Sequence, residues 1–327
     1  MKESGGELVN ECGREHRQGL VIAVRPRAVV VRMQGGDFAC PVPRRLRRGT
    51  RVQRAPLAVG DRVILEIDAR GNAMPVELLP RRTKISRLGS LRPLTEHVIA
   101  ANMDQLLALQ AVDQPPFNAG ALDRLLLLGE AGGARCAIGL NKIDLASPGE
   151  AERLLEPYRA TGYPIFLVSA LTEEGLAEVG EFLGGHETAI IGLSGVGKST
   201  LLNRLLPDAA LSTAAVSRST RRGVHTTTRV DYLDLPGGGA VLDTPGLRTI
   251  QPWGLPLDRL ASLYPEFRPH LGACRFGDCL HSGEPGCAVE DAARRGEIPA
   301  ARHQGYKRIL EGLRFEGRLV HPEPESK

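Results

Sequence analysis

The 327-residue chain carries 42 Lys+Arg against 38 Asp+Glu, a formal charge of +4, and 42% of its residues are hydrophobic. That length predicts two or three domains, and that composition a packed core rather than wholesale disorder. No stretch approaches the roughly 18 uninterrupted apolar residues of a membrane-spanning helix, and the polar opening MKESGGELVNECGREHRQG lacks the apolar stretch of a secretory signal. A cytoplasmic protein without membrane contact is expected, and six Cys are too few for a disulfide scaffold. The charge is uneven. Residues 1–90 hold 18 Lys+Arg and 9 Asp+Glu, a net of +9, which leaves 24 and 29, a net of −5, for residues 91–327. A basic module on a mildly acidic body suggests contact with a phosphate backbone, although a solvated Arg-rich face would give the same count.

Residues 1–18 are polar and aperiodic and are predicted to be disordered. From Gly19 the runs GLVIAV (19–24), AVVVRM (28–33), FACPV (38–42) and DRVILEI (61–67) are short, β-rich and separated by Pro, Gly and Arg. They predict a small β-barrel of about 65 residues. An oligonucleotide-binding barrel (OB-fold) fits its size and charge, and an SH3-like barrel fits almost as well. PRRTKISRLGS (80–90) reads as a basic linker, so the first domain and linker cover 19–90.

Residues 91–253 then alternate. Strands are predicted at 104–112, 135–141, 164–170 and 188–193, and helices at 119–133, 150–162, 173–184 and 197–207. TTRVDYLDL (227–235) and GAVLDTPG (239–246) close as a hairpin-like pair. Apolar strands alternating with amphipathic helices predict a largely parallel α/β sheet. Residues 254–327 form a helical, Cys-bearing region with an acidic tail, HPEPESK.

The strongest local signal is Gly192-Leu193-Ser194-Gly195-Val196-Gly197-Lys198-Ser199, followed by Thr200. It fits G-x-x-x-x-G-K-[ST], follows an apolar strand and opens a helix. Glycines let backbone N–H groups approach phosphate oxygens, the helix N-terminus adds positive potential, Lys198 reaches the outer phosphates, and Ser199 ligates Mg²⁺. Asn141-Lys142-Ile143-Asp144 ends another strand. The Asp144 carboxylate can accept two hydrogen bonds from guanine, a donor pair that adenine lacks. Asn141 can brace the base and the neighbouring loop, and the Lys142 stem can cover the base. Ser169-Ala170 ends the next strand, where its backbone can meet the guanine carbonyl.

Asp243-Thr244-Pro245-Gly246 ends the last strand. Asp243 there can hold Mg²⁺ through water, and the Gly246 N–H can touch the γ-phosphate. RSTRRGVHTTTR (218–229) is a polar loop whose Thr226, Thr227 or Thr228 would complete the Mg²⁺ shell, with Thr227 or Thr228 favoured. The base-reading motifs come first in the chain, then the phosphate loop, then the Mg²⁺ and γ-phosphate motifs, which is a circularly permuted order. The segment after Asp243 runs straight into the C-terminal region, and this continuity predicts that the region moves with nucleotide state. Cys274, Cys279, His281 and Cys287 lie within 14 residues and compose a closed, structural Cys₃His set for one tetrahedral Zn²⁺, the alternative being free thiols. Cys12, Cys40 and Cys136 have no such company.

Taken together, VGDRV, PRRTKISR, NKID, SA, GLSGVGKST, RGVHTTT, DTPG and CRFGDCLH…GC resemble the circularly permuted, ribosome small-subunit-dependent GTPases (the RsgA/YjeQ family) over roughly residues 19–315. The resemblance implies a multidomain fold: an N-terminal OB-fold β-barrel, a central α/β circularly permuted P-loop GTPase domain and a C-terminal helical zinc-binding domain. It also implies GTP hydrolysis stimulated by the small ribosomal subunit, contact with its rRNA and a late role in that subunit's maturation, by a monomer. Leu247 stands where many GTPases place the Gln that orients the attacking water. His225 matches the position at which this family carries a His proposed for that role, with Arg221 and Arg222 as rivals for charge stabilisation.

Overall fold

The computed structural model describes residues 8–9, 15–25, 27–43, 46, 53–54, 57–88, 96–206, 230–244 and 252–320. The N-terminal strands are β1 (Leu8–Val9), β2 (Glu15–Val24), β3 (Ala28–Met33), β4 (Gly36–Pro41), β5 (Gln53–Arg54), β6 (Arg62–Ile67) and β7 (Ala73–Leu78). Five of them form an antiparallel sheet in the order β4-β3-β2-β6-β7, with β1 on β2. β7 comes back against β4, so the sheet curls into the open five-stranded Greek-key barrel of the OB type rather than an SH3-like one. Val21, Val29, Val31, Val63 and Leu65 fill its interior at alternate positions.

The barrel starts earlier than composition suggests. Glu15 to Gln18, expected to be disordered, pair with Ile67 to Ile64 of β6. The partner's backbone supplies the ladder whatever the polarity of the side chains. β7 gave no clear signal either, because AMPVEL carries a Pro and alternates poorly.

The basic linker is also structured. β8 (Lys84–Leu88) pairs antiparallel with β9 (Glu96–Ala101), and β5 adds to β9 in parallel. Ile85 is fully buried, and Lys84 Nζ and Ser86 Oγ both donate to Glu96 Oε1 at 2.7 Å. Before β6, the turn at Gly60 fastens the barrel to β9. Gly60 has φ +89, and a Cβ there would lie 1.9 Å from Ala101 O, so glycine is required. Ala101 N donates to Val59 O at 2.9 Å, and Asn102 Nδ2 to Gly60 O at 2.9 Å. Buried Asp61 accepts from Ala58 N at 2.7 Å and from the Arg81 guanidinium at 2.6 and 2.8 Å.

The α/β unit runs β10 (Gln105–Ala111), α1 (Ala119–Gly132), β11 (Arg135–Asn141), α2 (Glu150–Leu155), β12 (Ile165–Leu167), α3 (Leu176–Leu183), β13 (Glu187–Gly192), α4 (Lys198–Leu205), β14 (Asp231–Asp234) and β15 (Ala240–Asp243). The order is β12-β11-β10-β13-β15-β14, parallel throughout except for β14. Leu106 and Ala108 face one helical layer, Leu107 and Leu109 the other, which is why β10 reads as an unbroken apolar run. Residues 150–162, expected as one helix, divide into α2 and a 3₁₀ turn over Glu156–Thr161, with Pro157 at the changeover and Gly162 (φ +77) as the stop. The chain moves outward from β10 to β12 and then returns to β13 on the other side of β10. The carboxyl ends of β10 and β13 therefore flank a switch point, where such sheets bind ligands.

After Asp243 the chain does not pass directly to the C-terminal region: Pro252 bridges Arg87 of β8 first. α5 (Leu257–Leu260), α6 (Ala288–Arg294) and α7 (Ala300–Val320) follow. Tyr264, Phe267, Tyr306 and Leu310 form their core, and Leu127 of α1 is part of it. Arg302 of α7 is 3% exposed. Its guanidinium bonds Asp123 of α1 and, at 2.7 Å, Glu266, and it lies between the rings of Tyr158 (5.0 Å) and Tyr264 (4.7 Å). Tyr158 OH donates to Asp123 Oδ1 at 2.9 Å. This buried charged contact seats the C-terminal region on α1 and the 3₁₀ turn.

Candidate nucleotide site and metal cluster

Four of the sequence motifs end parallel strands on one edge of the sheet. β13 runs into the phosphate loop, whose Gly195 and Gly197 both have φ +88. Those left-handed turns direct successive backbone N–H groups to the same side, a concavity suited to anions. Gly197 caps α4, and the first residue of α4, Lys198, is 8% exposed. The Lys198 ammonium bonds Asp243 Oδ1 at the end of β15. Asp243 pairs in register with Ile190 of the neighbouring β13, and Thr244 Oγ1 donates to Ile190 O at 2.9 Å. Burial raises the Asp243 carboxyl above its ordinary range, against the pull of Lys198.

Asn141 joins three motifs. Its side chain is buried at 1% exposure, Nδ2 donates to Val196 O of the phosphate loop at 2.9 Å, and Oδ1 accepts from Ala170 N at 3.1 Å. A Cβ on Gly197 would lie 2.3 Å from that Nδ2, so the close approach itself demands glycine there. Ser169 Oγ donates to Asp144 Oδ1 at 2.6 Å and accepts from Thr172 N at 3.0 Å. The Ser169 hydroxyl thus orients an exposed carboxylate, a role beyond the backbone contact expected of it. Lys142, in the left-handed region at φ +61, lies beside the phosphate loop and donates to Gln114 O. Leu193 and Ser199 are half-buried, and Ser194 and Thr200 exposed, along the loop and first turn of α4. His225, Thr226, Thr227, Thr228, Gly246, Leu247, Arg221 and Arg222 lie outside the described residues.

The arrangement offers an anion-binding turn, a buried ammonium paired with a half-buried carboxylate, and an oriented, exposed carboxylate at a neighbouring strand end. It defines a P-loop GTPase with a circularly permuted chain order. The family profile described as RsgA GTPase matches residues 78–253. A curated relative from Gemmatimonas aurantiaca, named small ribosomal subunit biogenesis GTPase RsgA, is 40% identical over 79% of this chain and 84% of its own. One of the same name from Azotobacter vinelandii is 37% identical over 98% and 89%. Among solved structures, YjeQ from Thermotoga maritima matches with a TM-score of 0.70 at 28% identity, covering 91% of this chain and 98% of that one. YloQ, described as a circularly permuted GTPase, matches with a TM-score of 0.67 at 25% identity, over 95% and 97%. The chain belongs to the RsgA GTPase family and is a GTP hydrolase. The profile begins before β8, so the strand expected as a linker falls within the matched region.

The second site is metallic in its chemistry. One ligand atom from each of Cys274, Cys279, His281 and Cys287 lies within 4.8 Å of the others. His281 Nδ1 is 3.4 Å from the sulfurs of Cys274 and Cys287 and 3.6 Å from that of Cys279. A tetrahedral ion with metal–sulfur bonds of about 2.3 Å and metal–nitrogen bonds of about 2.0–2.1 Å has S···N edges of about 3.6 Å, so the set fits one ion. Backbone N–H groups of Ala288 and Glu290, in the first turn of α6, point at the sulfurs of Cys274 (3.3 Å) and Cys287 (3.4 Å), which favours thiolates. Burial acts against those donors and raises the Cys279 and Cys287 thiols. Cys40 and Cys136 are buried core thiols. No described helix is long and apolar enough to cross a membrane.

Sequence reasoning missed Arg302, Asp123, Glu266, Arg32 and Asp234. Their partners are remote in the chain, and no local pattern marks them.

Proposed function

We propose that this GTPase binds Mg²⁺–GTP at the β11–β13–β15 edge and hydrolyses it in a cycle stimulated by the small ribosomal subunit, whose late maturation it assists. The observation that carries the nucleotide reading is the Asn141 bridge between the phosphate loop and both base-reading segments. The relatives' shared name supports the subunit as partner.

Backbone N–H groups of Gly192 to Gly197 and the helix end at Lys198, Ser199 and Thr200 take the phosphates. Lys198 exchanges Asp243 for phosphate oxygens. Asp144 accepts from guanine, Lys142 covers the base, and Ile143, Ser169 and Ala170 complete the base side. Mg²⁺, held at Ser199, Asp243 and Thr227 or Thr228, supplies charge neutralisation for the phosphates. His225 orients the attacking water, and Gly246 contacts the γ-phosphate. With no Gln after D-x-x-G, intrinsic turnover is on the order of 10⁻⁴ to 10⁻² s⁻¹.

The Cys₃His set holds one Zn²⁺, and its soft thiolate donors favour zinc over hard cations. The basic barrel faces rRNA. The chain acts as a cytoplasmic monomer whose barrel begins by Glu15, whose central domain takes in the strand Lys84–Leu88 and runs to residue 253, and whose C-terminal domain covers 254–327. The test is phosphate release with and without purified small subunits. A rise of one hundredfold or more is expected. Equal rates in both conditions would overturn the subunit-stimulated cycle.

A further inference from the structure

Besides the Gly60 turn, the barrel meets the GTPase sheet at β14. Arg32 of β3 places NH1 at 2.6 and 2.8 Å from the two carboxylate oxygens of Asp234. The rest of its fork holds Asp37 of β4, through Nε at 2.9 Å and NH2 at 3.3 Å. Its guanidinium carbon lies 5.8 Å from the ring of Tyr232, two residues earlier on the same strand. Tyr232 OH donates to Glu187 Oε1 of β13 at 3.2 Å, and Arg62 of β6 reaches that carboxylate at 3.9 Å. A lone exposed ion pair holds little. A fork shared by two carboxylates and laid over a ring fixes orientation as well as distance.

β14 has four residues and, among the described residues, sits at the edge of the sheet, paired with β15 alone. Asp234 lies opposite Ala240, at the barrel end. Asp231 lies opposite Asp243, at the hydrolysis end, and follows Thr228 by three positions. A strand of three residue steps, about 10 Å long, therefore has the barrel's Arg32 at one end and the Mg²⁺-facing carboxylate at the other. An edge strand this short is held in place by one ladder and by whatever grips its side chains.

We propose that the Arg32–Asp234 pair links the barrel to the hydrolysis site, carrying the barrel's docking on RNA along β14 to Asp243. Arg32 and Asp234 are positioning residues in this scheme. It rests on the reading of a subunit-stimulated GTPase.

The test uses the full chain. Asp234→Asn removes the link. Asp37→Asn keeps the bond to Asp234 and serves as control, and Asp234→Glu serves as the conservative rescue. Intrinsic phosphate release should be within twofold of the unmodified protein in all three. Stimulation by small subunits should fall about fivefold or more in Asp234→Asn, in the ordinary range of coupling between sites, and be largely kept in the other two. Hydrogen exchange over residues 28–41 should differ between GDP and a non-hydrolysable GTP analogue in the unmodified protein and cease to differ in Asp234→Asn. Full stimulation of Asp234→Asn overturns the proposal. So does loss of intrinsic turnover in that variant, or exchange over 28–41 that ignores the nucleotide in the unmodified protein. If the unmodified chain is not stimulated by subunits, it is the functional reading that fails, and the exchange comparison alone decides the link.

Discussion

Asn141 shows how much of the candidate site rests on contacts between its own segments. Its amide joins the Val196 carbonyl in the phosphate loop and the Ala170 N–H beyond β12, both on buried residues. Asn141→Ala leaves both unpaired in a buried place, at a cost of about 1–3 kcal/mol each. We expect guanine-nucleotide affinity to drop at least about tenfold, by titration calorimetry, and unchanged affinity would remove the bridge from the account. Asp144→Asn should move preference from guanosine to xanthosine triphosphate in a competition assay, because an amide presents a donor where the carboxylate only accepts. Retained guanosine preference would show that another group reads the base. The motifs named these residues from spacing alone. What they could not give is Ser169 turned onto Asp144, or Lys142 reaching Gln114, because those contacts depend on how neighbouring loops meet.

The strands and helices of the α/β unit were legible because each buries an apolar run against a layer, and their order follows from the alternation. β8 was misread for the opposite reason. Lys84, Ser86 and Arg87 look like linker residues, and only Ile85 signals burial. The strand forms because Glu96 gathers Lys84 and Ser86 and because α1 closes over it. Gly132 is the point of closest approach: a Cβ there would lie 2.1 Å from Lys84 O. Helix propensity alone says that Gly→Ala at that position stabilises by about 1 kcal/mol. The backbone clash says the reverse, and overpacking of this kind costs about 1–3 kcal/mol. Gly132→Ala should therefore lower the urea midpoint. A raised midpoint would mean that β8 yields easily and is only loosely seated.

Three regions are fastened together by contacts of unequal strength. Arg302 is enclosed with Asp123 and Glu266, so Arg302→Met leaves two buried carboxylates uncompensated and should cost about 3–5 kcal/mol in chemical unfolding. Arg268 reaches Glu130 of α1 at 2.6 Å but is half exposed, and Arg268→Ala should cost no more than about 1 kcal/mol. If the two variants unfold alike, the C-terminal region is not held by the buried knot. Metal removal should act more locally. A chelator is expected to raise hydrogen exchange across residues 274–287 while intrinsic GTP turnover persists, since the cluster shares no side chain with the nucleotide site. A parallel collapse of turnover would show that the cluster supports the whole molecule. The Arg302–Asp123 and Arg268–Glu130 joints were not legible in the sequence, because each pairs residues more than a hundred positions apart.

The displaced order of the strands also sets a schedule for synthesis. Translation delivers the barrel first, then β10 to β12 with both base-reading motifs, and only afterwards the phosphate loop and Asp243. A growing chain therefore owns half of a purine pocket for some 50 residues before it can grip a phosphate. At about 5–20 residues per second, the GTP site closes several seconds after its first motif is made. A chain that ends before the phosphate loop should therefore carry the base-reading motifs and yet fail to bind GTP, which nucleotide binding by a fragment over residues 1–190 would disprove.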